Sequence, residues 1–434
     1  MPGERFRDLR ARIEAARCLF CFEEPCTQSC PAGVPVALFI RQIATGDLVG
    51  AAHTIRQANP LGWICGVVCP TEVLCQARCC RAGMDSPVDI GWLQTYATEC
   101  VPVPSPPWII SPAKRVAVVG GGPAGLTAAI CLAQESHQVE LFEAREALGG
   151  LLTYGIPPHR LPKDQTAAEI AQVERVGVRV HLRAPVENAV GLLQEFDAVL
   201  VATGASKPSR LGIEGENLAG IWSGLDFLAK VNKAFLAGCE PDHNLGEQIL
   251  VIGGGNTALD AAIVARQLSG GQVTVVYRRS AEEMPAWRRE VEEARSEGIQ
   301  FLFQAAPVAF LGREGRVAAC RCIRLDLGDP DASGRRRPIP ILGSEFVMPC
   351  DTAIVAIGQR SDLSLLTGLA LKDLLKPRKD ACGVSRHTEL APGLFACGDC
   401  LGDSTGATVV QAVQAGKEAA RAICDFLRAG GGGG

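Results

Sequence analysis

Cysteine is the residue whose number and spacing in this sequence point most directly to chemistry. Ten of the 19 cysteines lie within the first 100 residues of a 434-residue chain. Four of them form the run Cys-x2-Cys-x4-Cys-x3-Cys-Pro from Cys18 to Pro31, and a second group lies between Cys65 and Cys80. Thiolates at such short spacings hold a zinc ion, coordinate an iron–sulfur cluster or pair as disulfides.

The rest of the sequence distinguishes between these three kinds of site. A disulfide framework is typical of small secreted domains rather than of a chain this long. Structural zinc usually takes cysteine pairs or cysteine with histidine, yet the only histidine before residue 100 is His53, away from both groups. The run before Pro31 is typical of cluster ligands, in which the fourth cysteine serves a neighbouring cluster. We therefore predict two 4Fe-4S clusters, with a zinc-stapled docking domain as the alternative; Cys65, Cys80 and Cys100 also fit buried structural thiols.

Composition and charge narrow the class of protein. A chain of 434 residues is expected to fold as two or three domains. With 47% hydrophobic residues, 21% charged residues and 48 glycines, the composition is that of a soluble α/β protein with nucleotide-binding turns. The net charge of −4 argues against a nucleic-acid partner. No signal-peptide core and no apolar stretch of about 20 residues is apparent, so we expect a cytoplasmic protein without a membrane span.

A dinucleotide-binding motif follows the cysteine-rich region. Beyond the proline-rich residues 101–112, which we interpret as a linker, the segment RVAVVGGGPAGLTAAICLA reads as strand, glycine-rich turn and helix. Gly120 permits the tight turn, Gly122 lets a pyrophosphate approach the backbone, and Gly125 lets the helix pack on the strand. Glu143 ends the next predicted strand, where an acid binds the adenosine ribose hydroxyls.

A second dinucleotide-binding motif appears in QILVIGGGNTALDAAIVARQL. Gly253 and Gly255 fill the first two glycine positions, and Ala258 is an accepted replacement for the third. The next predicted strand ends in Arg278 and Arg279 rather than in an acid. These arginines either reach the 2′-phosphate of NADP or mark an exposed strand end. Two such motifs in one chain indicate two nucleotides, and the sensible pair is FAD with a nicotinamide nucleotide.

Three later segments complete the predicted nucleotide domains. Residues 197–204 and 351–359 each read as a strand that runs into a glycine turn, and we interpret them as crossovers between the two domains. Near the C-terminus a strand is followed by Asp399 and by an apolar helix that starts near Ala407. Asp399 is placed to hydrogen-bond the ribityl chain of FAD, and the helix N-terminus to stabilise negative charge on a reduced flavin ring.

Taken together, these motifs carry a family resemblance that spans about Cys18 to Ile423. The cysteine module, GGGPAG, GGLLTYGIPPHRLPK, VATGA, GGGNTALD, YRRSAEEMPA and the Gly-Asp pair at 398–399 resemble the NAD(P)H-oxidising flavoprotein module of the glutamate synthase small subunit and of dihydropyrimidine dehydrogenase. The segment NPLGWICGVVCPTEVLCQARC is closer to the dehydrogenase branch. We expect the chain to lack the FMN-bearing barrel and the glutaminase domain of those enzymes. The resemblance therefore implies a module that takes in electrons and hands them on.

The resemblance implies an α/β fold in which a helical N-terminal iron–sulfur domain precedes two Rossmann-like domains, with the NAD(P) domain inserted in the FAD domain. The implied boundaries are 1–110 for the two-cluster domain, 111–235 for the first part of the FAD domain, 236–348 for the NAD(P) domain and 349–434 for the rest of the FAD domain.

The resemblance also implies ligands and cofactor contacts. One cluster takes Cys18, Cys21, Cys26 and Cys79, and the other takes Cys30, Cys69, Cys75 and Gln94. Cys80 is a rival to Gln94, whose spacing from Cys79 is one residue shorter than in the family. We predict cofactor contacts at Gly120, Gly122, Pro123, Ala124, Gly125, Glu143, Gly150, Leu151, Gly204, Gly253, Gly255, Asn256, Thr257, Arg278, Arg279, Gly358, Gly398, Asp399, Ala407 and Thr408. Pro285 stands where the mammalian-type dehydrogenase has a further 2′-phosphate arginine, so the choice between NAD and NADP stays open.

The implied activity is flavin-mediated hydride transfer from NAD(P)H without a catalytic acid or base. Electrons then pass singly through the clusters to a partner redox subunit or a ferredoxin-like protein in a larger complex. A molybdenum- or tungsten-dependent enzyme is an alternative partner, in which case electrons can flow toward NAD(P)+. A disulfide reductase using Cys397 and Cys400 is a further alternative, although that pair overlaps the Gly-Asp motif expected to bind FAD.

Overall fold

The structure is a computed structural model, and it describes residues 2–101, 114–241, 244–331, 334–366, 379–380, 383–384, 387–402 and 408–430. The chain folds as two compact units. The first comprises Met1–Thr153, Arg160–Ala205 and Ser361–Gly434, and the second comprises Tyr154–His159 and Ser206–Arg360. The predicted insertion of the second dinucleotide-binding region into the first is confirmed. The four domain boundaries expected from the sequence divide the chain more finely and stay a prediction.

The N-terminal part of the chain is helical, and helices and strands are mixed in the rest. The α-helices of the described residues are α1 (Pro2–Ala16), α2 (Pro25–Gln28), α3 (Val36–Thr45), α4 (Leu48–Ala58), α5 (Gly62–Val68), α6 (Ile90–Cys100), α7 (Pro123–Gln134), α8 (Leu151–Tyr154), α9 (Lys163–Ile170), α10 (Gln172–Arg175), α11 (Gly224–Leu236), α12 (Asn256–Ser269), α13 (Arg288–Ser296) and α14 (Val409–Gly430). Short 3-10 helices occupy Gln76–Arg78, Cys80–Gly83, Gly191–Gln194, Ala281–Glu283 and Gly398–Leu401.

The strands belong to one mostly parallel sheet, one parallel sheet and one antiparallel sheet, with two small ribbons. They are β1 (Arg115–Val119), β2 (Gln138–Phe142), β3 (Arg179–His181), β4 (Ala198–Val201), β5 (Lys207–Pro208), β6 (Ile221–Ser223), β7 (Gln248–Ile252), β8 (Gln272–Tyr277), β9 (Gln300–Phe303), β10 (Ala305–Arg313), β11 (Arg316–Pro330), β12 (Arg336–Pro340), β13 (Phe346–Pro349), β14 (Thr352–Val355), β15 (Gln359–Arg360), β16 (Lys379–Asp380), β17 (Gly383–Val384), β18 (His387–Ala391) and β19 (Leu394–Cys397).

The N-terminal region is helical, as predicted. Its helix–turn–helix is formed by α3 and α4, which are joined at Gly46, whose φ of 87° lies in the left-handed region that favours glycine. Asp47 begins α4 by accepting the backbone N–H of Gly50 at 2.8 Å. Phe39 and Ile55 are fully buried, so these helices bring their apolar faces into one core.

The first unit contains a six-stranded sheet in the order β18-β19-β4-β1-β2-β3, in which only β18 runs antiparallel to its neighbour. Strands β1 and β4 are apolar and buried along almost their whole length, which is typical of a parallel sheet covered by helices on both faces. The strand order reverses direction next to β1. Ligands of open parallel sheets bind at such a switch point, beyond the carboxyl ends of the strands.

The second unit repeats this architecture. Its five-stranded sheet has the order β6-β14-β7-β8-β9 and is parallel throughout. Helix α12 follows β7 directly, and its fully buried Ala261 and Ala262 belong to the same core as Ile249 and Val251 of that strand. The predicted fold of two Rossmann-like domains is confirmed. The antiparallel strands β10 to β13 form a separate sheet within this unit.

Within these described ranges, every helix is too short or too polar to cross a lipid bilayer.

Candidate functional site

The turn between β1 and α7 has the geometry that dinucleotide binding requires. Gly120 has a φ of 111°, and a Cβ atom there would lie 2.5 Å from the carbonyl oxygen of Ala202. A Cβ atom at Gly125 would collide with the carbonyl oxygen of Gly120, so the helix can approach the strand only with glycine at this position. Gly122 precedes α7 and has open space within 4 Å of its Cβ position. Its backbone is therefore accessible to a phosphate at the helix N-terminus.

Other predicted flavin contacts gather around this turn. Gly150 lies against Gly122, because a Cβ atom added to Gly150 would lie 3.0 Å from the Cα atom of Gly122. Gly398 is equally close to α7, with its Cβ position 3.2 Å from that of Ala124. Pro123 is the first residue of α7, a position that does not need an N–H donor. The structure thus assembles one neighbourhood from segments that are far apart in sequence.

The remaining flavin positions lie at the borders of this neighbourhood. Gly204 follows β4, the neighbour of β1, and has a φ of 66°. Leu151 is 38% exposed at the start of α8. Asp399 follows β19, and its carbonyl oxygen accepts the Ser361 hydroxyl at 2.9 Å. Thr408 precedes α14 and accepts the Gln411 N–H at 3.3 Å through its hydroxyl, whereas Ala407 lies outside the described residues.

Glu143 is a buried carboxylate that binds the turn between β1 and α7, which we call the flavin turn because FAD is predicted to bind there. Its Oε2 atom accepts the backbone N–H of Gly121 at 2.8 Å, and its Oε1 atom accepts that of Arg145 at 2.8 Å. A carboxylate oxygen accepts more than one hydrogen bond, so both atoms keep acceptor capacity for ribose hydroxyls. Sequence reasoning predicts only the ribose contact and does not reveal that the same side chain also holds the turn.

The second glycine-rich turn follows β7. Gly253 has a φ of 145°, and a Cβ atom there would collide with the carbonyl oxygen of Ala356. Gly255 and Gly358 both have open space around their Cβ positions. Asn256, at the start of α12, accepts the backbone N–H of Trp287 at 3.2 Å through Oδ1. This turn therefore combines an exposed backbone with a helix N-terminus, as the flavin turn does.

The Thr257 side chain lies beside this turn, with its Cγ2 atom 3.5 Å from the Cβ position of Gly224.

The two arginines after β8 have different environments. Arg278 is exposed, but Arg279 is only 3% exposed. The guanidinium of Arg279 forms an ion pair with Asp331 at 2.6 Å and donates through Nε to the carbonyl oxygen of Arg336 at 2.7 Å. Arg279 therefore links the end of β8 to Asp331 and to the first residue of β12. Arg278 is the better placed of the two to meet a nucleotide phosphate.

The cysteines of the first predicted ligand set are neighbours. Burial and the thiols of Cys18 and Cys79 raise the pKa of Cys26 to about 11. Burial also raises the pKa of Cys18, and the neighbouring Cys79 raises it further. A hydrogen bond with Cys80 raises the pKa of Cys21. Cys80 is exposed, so the structure leaves it beside this set rather than in the interior.

The cysteines of the second predicted set are also neighbours. A hydrogen bond with Cys65 and burial raise the pKa of Cys69 well above its ordinary value, and Cys30 and Cys75 add to the effect. Burial and the neighbouring Cys30 raise the pKa of Cys75 to about 12. The thiols of this set therefore share one neighbourhood, which also contains Cys65.

Gln94, the predicted non-cysteine ligand, is a buried residue of α6. Its Nε2 atom donates to the carbonyl oxygen of Gly62 at 2.6 Å. This hydrogen bond orients the side-chain amide, and in the predicted role of Gln94 the amide oxygen would be the ligating atom.

Both groups of thiols fit a cluster site chemically. Burial and neighbouring sulfur atoms disfavour free thiolates there, so a bound cation would offset the cost that raises their pKa values. Among the described residues, no three cysteine, histidine, aspartate or glutamate side chains are arranged to hold a single metal ion. A 4Fe-4S cluster takes one thiolate per iron and spreads its ligands around a body larger than an ion.

The Cys397 and Cys400 pair lacks the properties of a reactive dithiol. Both side chains are buried, and burial raises the pKa of Cys400 to about 12. The Cys400 thiol donates to the carbonyl oxygen of Cys397 at 3.1 Å. A redox-active pair needs an accessible thiolate, so this environment does not favour the disulfide reductase alternative.

Three side chains form hydrogen bonds between the cluster region and the flavin domain that could not be predicted from the sequence. Glu169 accepts the N–H groups of Trp63 and Ile64 at 2.9 and 2.8 Å. Gln172 donates to the carbonyl oxygen of Pro60, and Lys417 donates to two carbonyl groups of the N-terminal region. Their helices carry charged and polar residues at many positions, so no spacing distinguishes these three from solvated ones.

Comparison with known proteins agrees with this arrangement. Residues 114–416 match the pyridine nucleotide-disulphide oxidoreductase family, and residues 3–102 match the family described as dihydropyrimidine dehydrogenase domain II, 4Fe-4S cluster.

Several curated proteins are similar over most of the chain. The NAD-dependent dihydropyrimidine dehydrogenase subunit PreT of Escherichia coli K12 is 36% identical over 97% of this chain and 95% of its own length. The glutamate synthase [NADPH] small chain of Halomonas elongata is 33% identical over 98% of this chain and 92% of its own length. The NADP(+)-dependent formate dehydrogenase subunit beta of Moorella thermoacetica is 36% identical over 94% of this chain, which spans only 60% of that relative.

Among solved structures, FprA of Mycobacterium tuberculosis in complex with NADPH is similar in fold. The TM-score is 0.61 at 20% sequence identity, over 74% of this chain and 86% of that protein. The extent of the family match and the identity to relatives of similar length establish the assignment. This chain belongs to the pyridine nucleotide-disulphide oxidoreductase family, as an FAD-dependent NAD(P)H oxidoreductase with an N-terminal 4Fe-4S domain.

Proposed function

We propose that this chain passes electrons between a nicotinamide nucleotide and a partner redox subunit through FAD and two 4Fe-4S clusters. The observation that carries the proposal is that both thiol neighbourhoods and the flavin turn belong to one compact unit. A zinc-stapled docking domain would not need to share a unit with a flavin. Bound FAD would supply the hydride and single-electron chemistry that links the two-electron donor to the clusters.

The roles of the protein residues in this proposal are to bind and to orient. The backbone at Gly122 and the N-terminus of α7 would donate hydrogen bonds to the FAD pyrophosphate, and Glu143 would accept hydrogen bonds from the ribose hydroxyls. The backbone at Gly255 and the N-terminus of α12 would donate to the pyrophosphate of the nicotinamide nucleotide. No acidic or basic side chain is required at the reacting atoms, since hydride moves between cofactors.

The positions of the thiols suggest the order of the two sites. The half-buried Cys30 of one set adjoins Lys417 of the flavin domain. The set that contains Cys21 lies beside the exposed Cys80. We infer that the Cys30 set exchanges electrons with the flavin, and that the Cys21 set exchanges them with the partner.

A partner subunit that reduces or oxidises a pyrimidine is supported by the relative named as a dihydropyrimidine dehydrogenase subunit. A second candidate, a formate-oxidising subunit, is supported by the relative named as a formate dehydrogenase subunit, and electrons would then flow toward NADP+.

The proposal is tested with the isolated chain and an artificial dye. Purified protein is expected to oxidise NADH or NADPH rapidly when the dye is present, and to leave pyrimidines and formate unchanged on its own. Turnover of pyrimidine or formate by the isolated chain would contradict the proposed dependence on a partner. Failure to reduce the dye in protein that contains FAD would contradict the proposed reductase activity.

A further inference from the structure

Lys417 connects the C-terminal helix α14 to two backbone groups of the cluster-binding region. Its Nζ atom donates to the carbonyl oxygen of Ala32 at 2.7 Å and to that of Ala58 at 2.6 Å. Ala32 lies two residues after the predicted ligand Cys30, and Ala58 is the last residue of α4. The carbonyl end of a helix favours a cation, so the contact with Ala58 stabilises the charged ammonium.

The backbone that carries this ammonium is firmly held. Gly416 precedes Lys417, and a Cβ atom there would collide with the carbonyl oxygen of Ala124 and lie 3.0 Å from the Thr127 side chain. Helix α14 therefore packs directly on α7, the helix of the flavin turn, at the position next to Lys417. The ammonium has a fixed place relative to both the flavin turn and the loop after Cys30.

The charges around Lys417 make it a local source of positive potential for the Cys30 site. Burial lowers the pKa of Lys417, whereas the thiols of Cys131 and Cys30 raise it. The positive charge of Arg421 lowers the pKa of Lys417, and the negative charge of Glu418 raises it. Burial raises the pKa of Cys131 to about 11, so this neighbour is a neutral thiol near pH 7. Cys30 thus lies within the electrostatic reach of a positioned, half-buried cation.

We propose that Lys417 is a positioning residue that fixes the Cys30 loop on the flavin domain and raises the reduction potential of the cluster bound there. The inference rests on the proposed function, because it requires a cluster at Cys30. Reduction adds one negative charge to a cluster, and a nearby fixed ammonium stabilises the more negative state. The same side chain would thereby set both the place and the driving force of electron entry.

The test is a mediated dithionite titration of the anaerobically purified holoprotein, followed by electron paramagnetic resonance. Three variants are compared with wild type: K417Q removes the charge, K417R keeps it, and R428Q removes a charge farther along the same helix. Arg428 is 66% exposed and pairs with Glu135, so R428Q tests a general effect of net charge. Iron, sulfide and flavin contents are measured on every sample.

We expect K417Q to disfavour reduction of one cluster about tenfold, a shift of about 59 mV to more negative potential. R428Q should leave the equilibrium constant for reduction of each cluster within about threefold of the wild-type value. Unchanged potentials in K417Q that retains its iron would overturn the inference. If K417Q loses its iron, the K417R variant is used instead. A cluster in K417R with nearly the wild-type potential supports the inference, and a tenfold change in its equilibrium constant for reduction overturns it.

The titration uses dithionite and requires no nicotinamide nucleotide, so its outcome is independent of the reductase activity. Wild-type protein without iron would contradict the proposed function before any variant is compared. Unchanged potentials in iron-containing K417Q would contradict only the role of Lys417.

Discussion

The carboxylate of Glu169 accepts the backbone N–H of Ile64 at 2.8 Å, across 105 residues of sequence. Its other oxygen accepts the N–H of Trp63 at 2.9 Å. These two donors belong to the first turn of α5, whose N–H groups have no partner within the helix. Glu169 is thus a side-chain cap supplied by the flavin domain to a helix of the cluster region. The short helix α5 leads to the predicted ligand Cys69.

Glu169 should make the stability of the protein depend on pH. Burial raises its pKa to about 7, against the opposing effect of its two N–H donors and of Arg56. Because the folded-state pKa lies above that of the unfolded chain, this group stabilises the fold at low pH, and the contribution is lost as pH rises through 7. The full effect is on the order of 3 kcal/mol. The difference in melting temperature between wild type and E169Q should therefore fall from pH 5 to pH 8.

The matched control for this experiment is E174Q, which removes an exposed carboxylate from the next helix. Its difference from wild type should change little over the same pH range. A wild-type minus E169Q difference that stays constant with pH would show that Glu169 does not titrate as inferred.

Two glycines of the flavin turn should respond differently to alanine. G125A places a methyl group against the carbonyl oxygen of Gly120, so it should destabilise the protein even without flavin. G122A meets open space, so the apoprotein should melt normally but bind FAD poorly, because the methyl group occupies the path of the pyrophosphate. Flavin content and melting of the apoprotein measure the two effects. Normal FAD binding by G122A would contradict the location of the site.

Arg278 and Arg279 should separate nucleotide recognition from stability. R279Q removes the ion pair with Asp331 and should cost about 2 kcal/mol, less than for a fully buried pair because Asp331 is 28% exposed. R278Q should leave the melting temperature unchanged. If NADPH is a substrate, R278Q should raise the KM for NADPH several-fold and leave that for NADH unaltered. An equal change for both nucleotides would exclude a 2′-phosphate contact.

Substitutions of Cys80 and of Gln94 should have different effects on the iron content of the protein. Gln94 is buried and oriented by its hydrogen bond to Gly62, whereas Cys80 is exposed. C80S should therefore retain all the iron of wild type, and Q94A should lose iron or alter the spectrum of one cluster. The reverse result, with iron lost from C80S and kept by Q94A, would make Cys80 the ligand.

Much of the site could be predicted from the sequence because its determinants are local. The glycines of each turn are required by contacts within a few residues, such as Gly125 against Gly120. The cysteine groups are likewise close along the chain. Arg278 and Arg279 are adjacent residues of the same type after β8, so the sequence does not reveal that Arg279 is the buried one.

Glu169 and Lys417 could not be identified in this way. Their partners lie 105 to 106 residues and 359 to 385 residues away in sequence. A charged residue on a helix is usually solvated, and only the tertiary structure shows that these two meet buried backbone groups. Long-range polar contacts of this kind carry no periodicity that a sequence pattern could display.

Two clusters and one FAD should share this chain. The iron, acid-labile sulfide, zinc and flavin contents of anaerobically purified protein, measured together with its visible spectrum, show whether they do. We expect about eight irons and as many sulfides per flavin, with broad visible absorption beyond that of the flavin. Stoichiometric zinc without iron would contradict it, and would make the N-terminal region a structural staple.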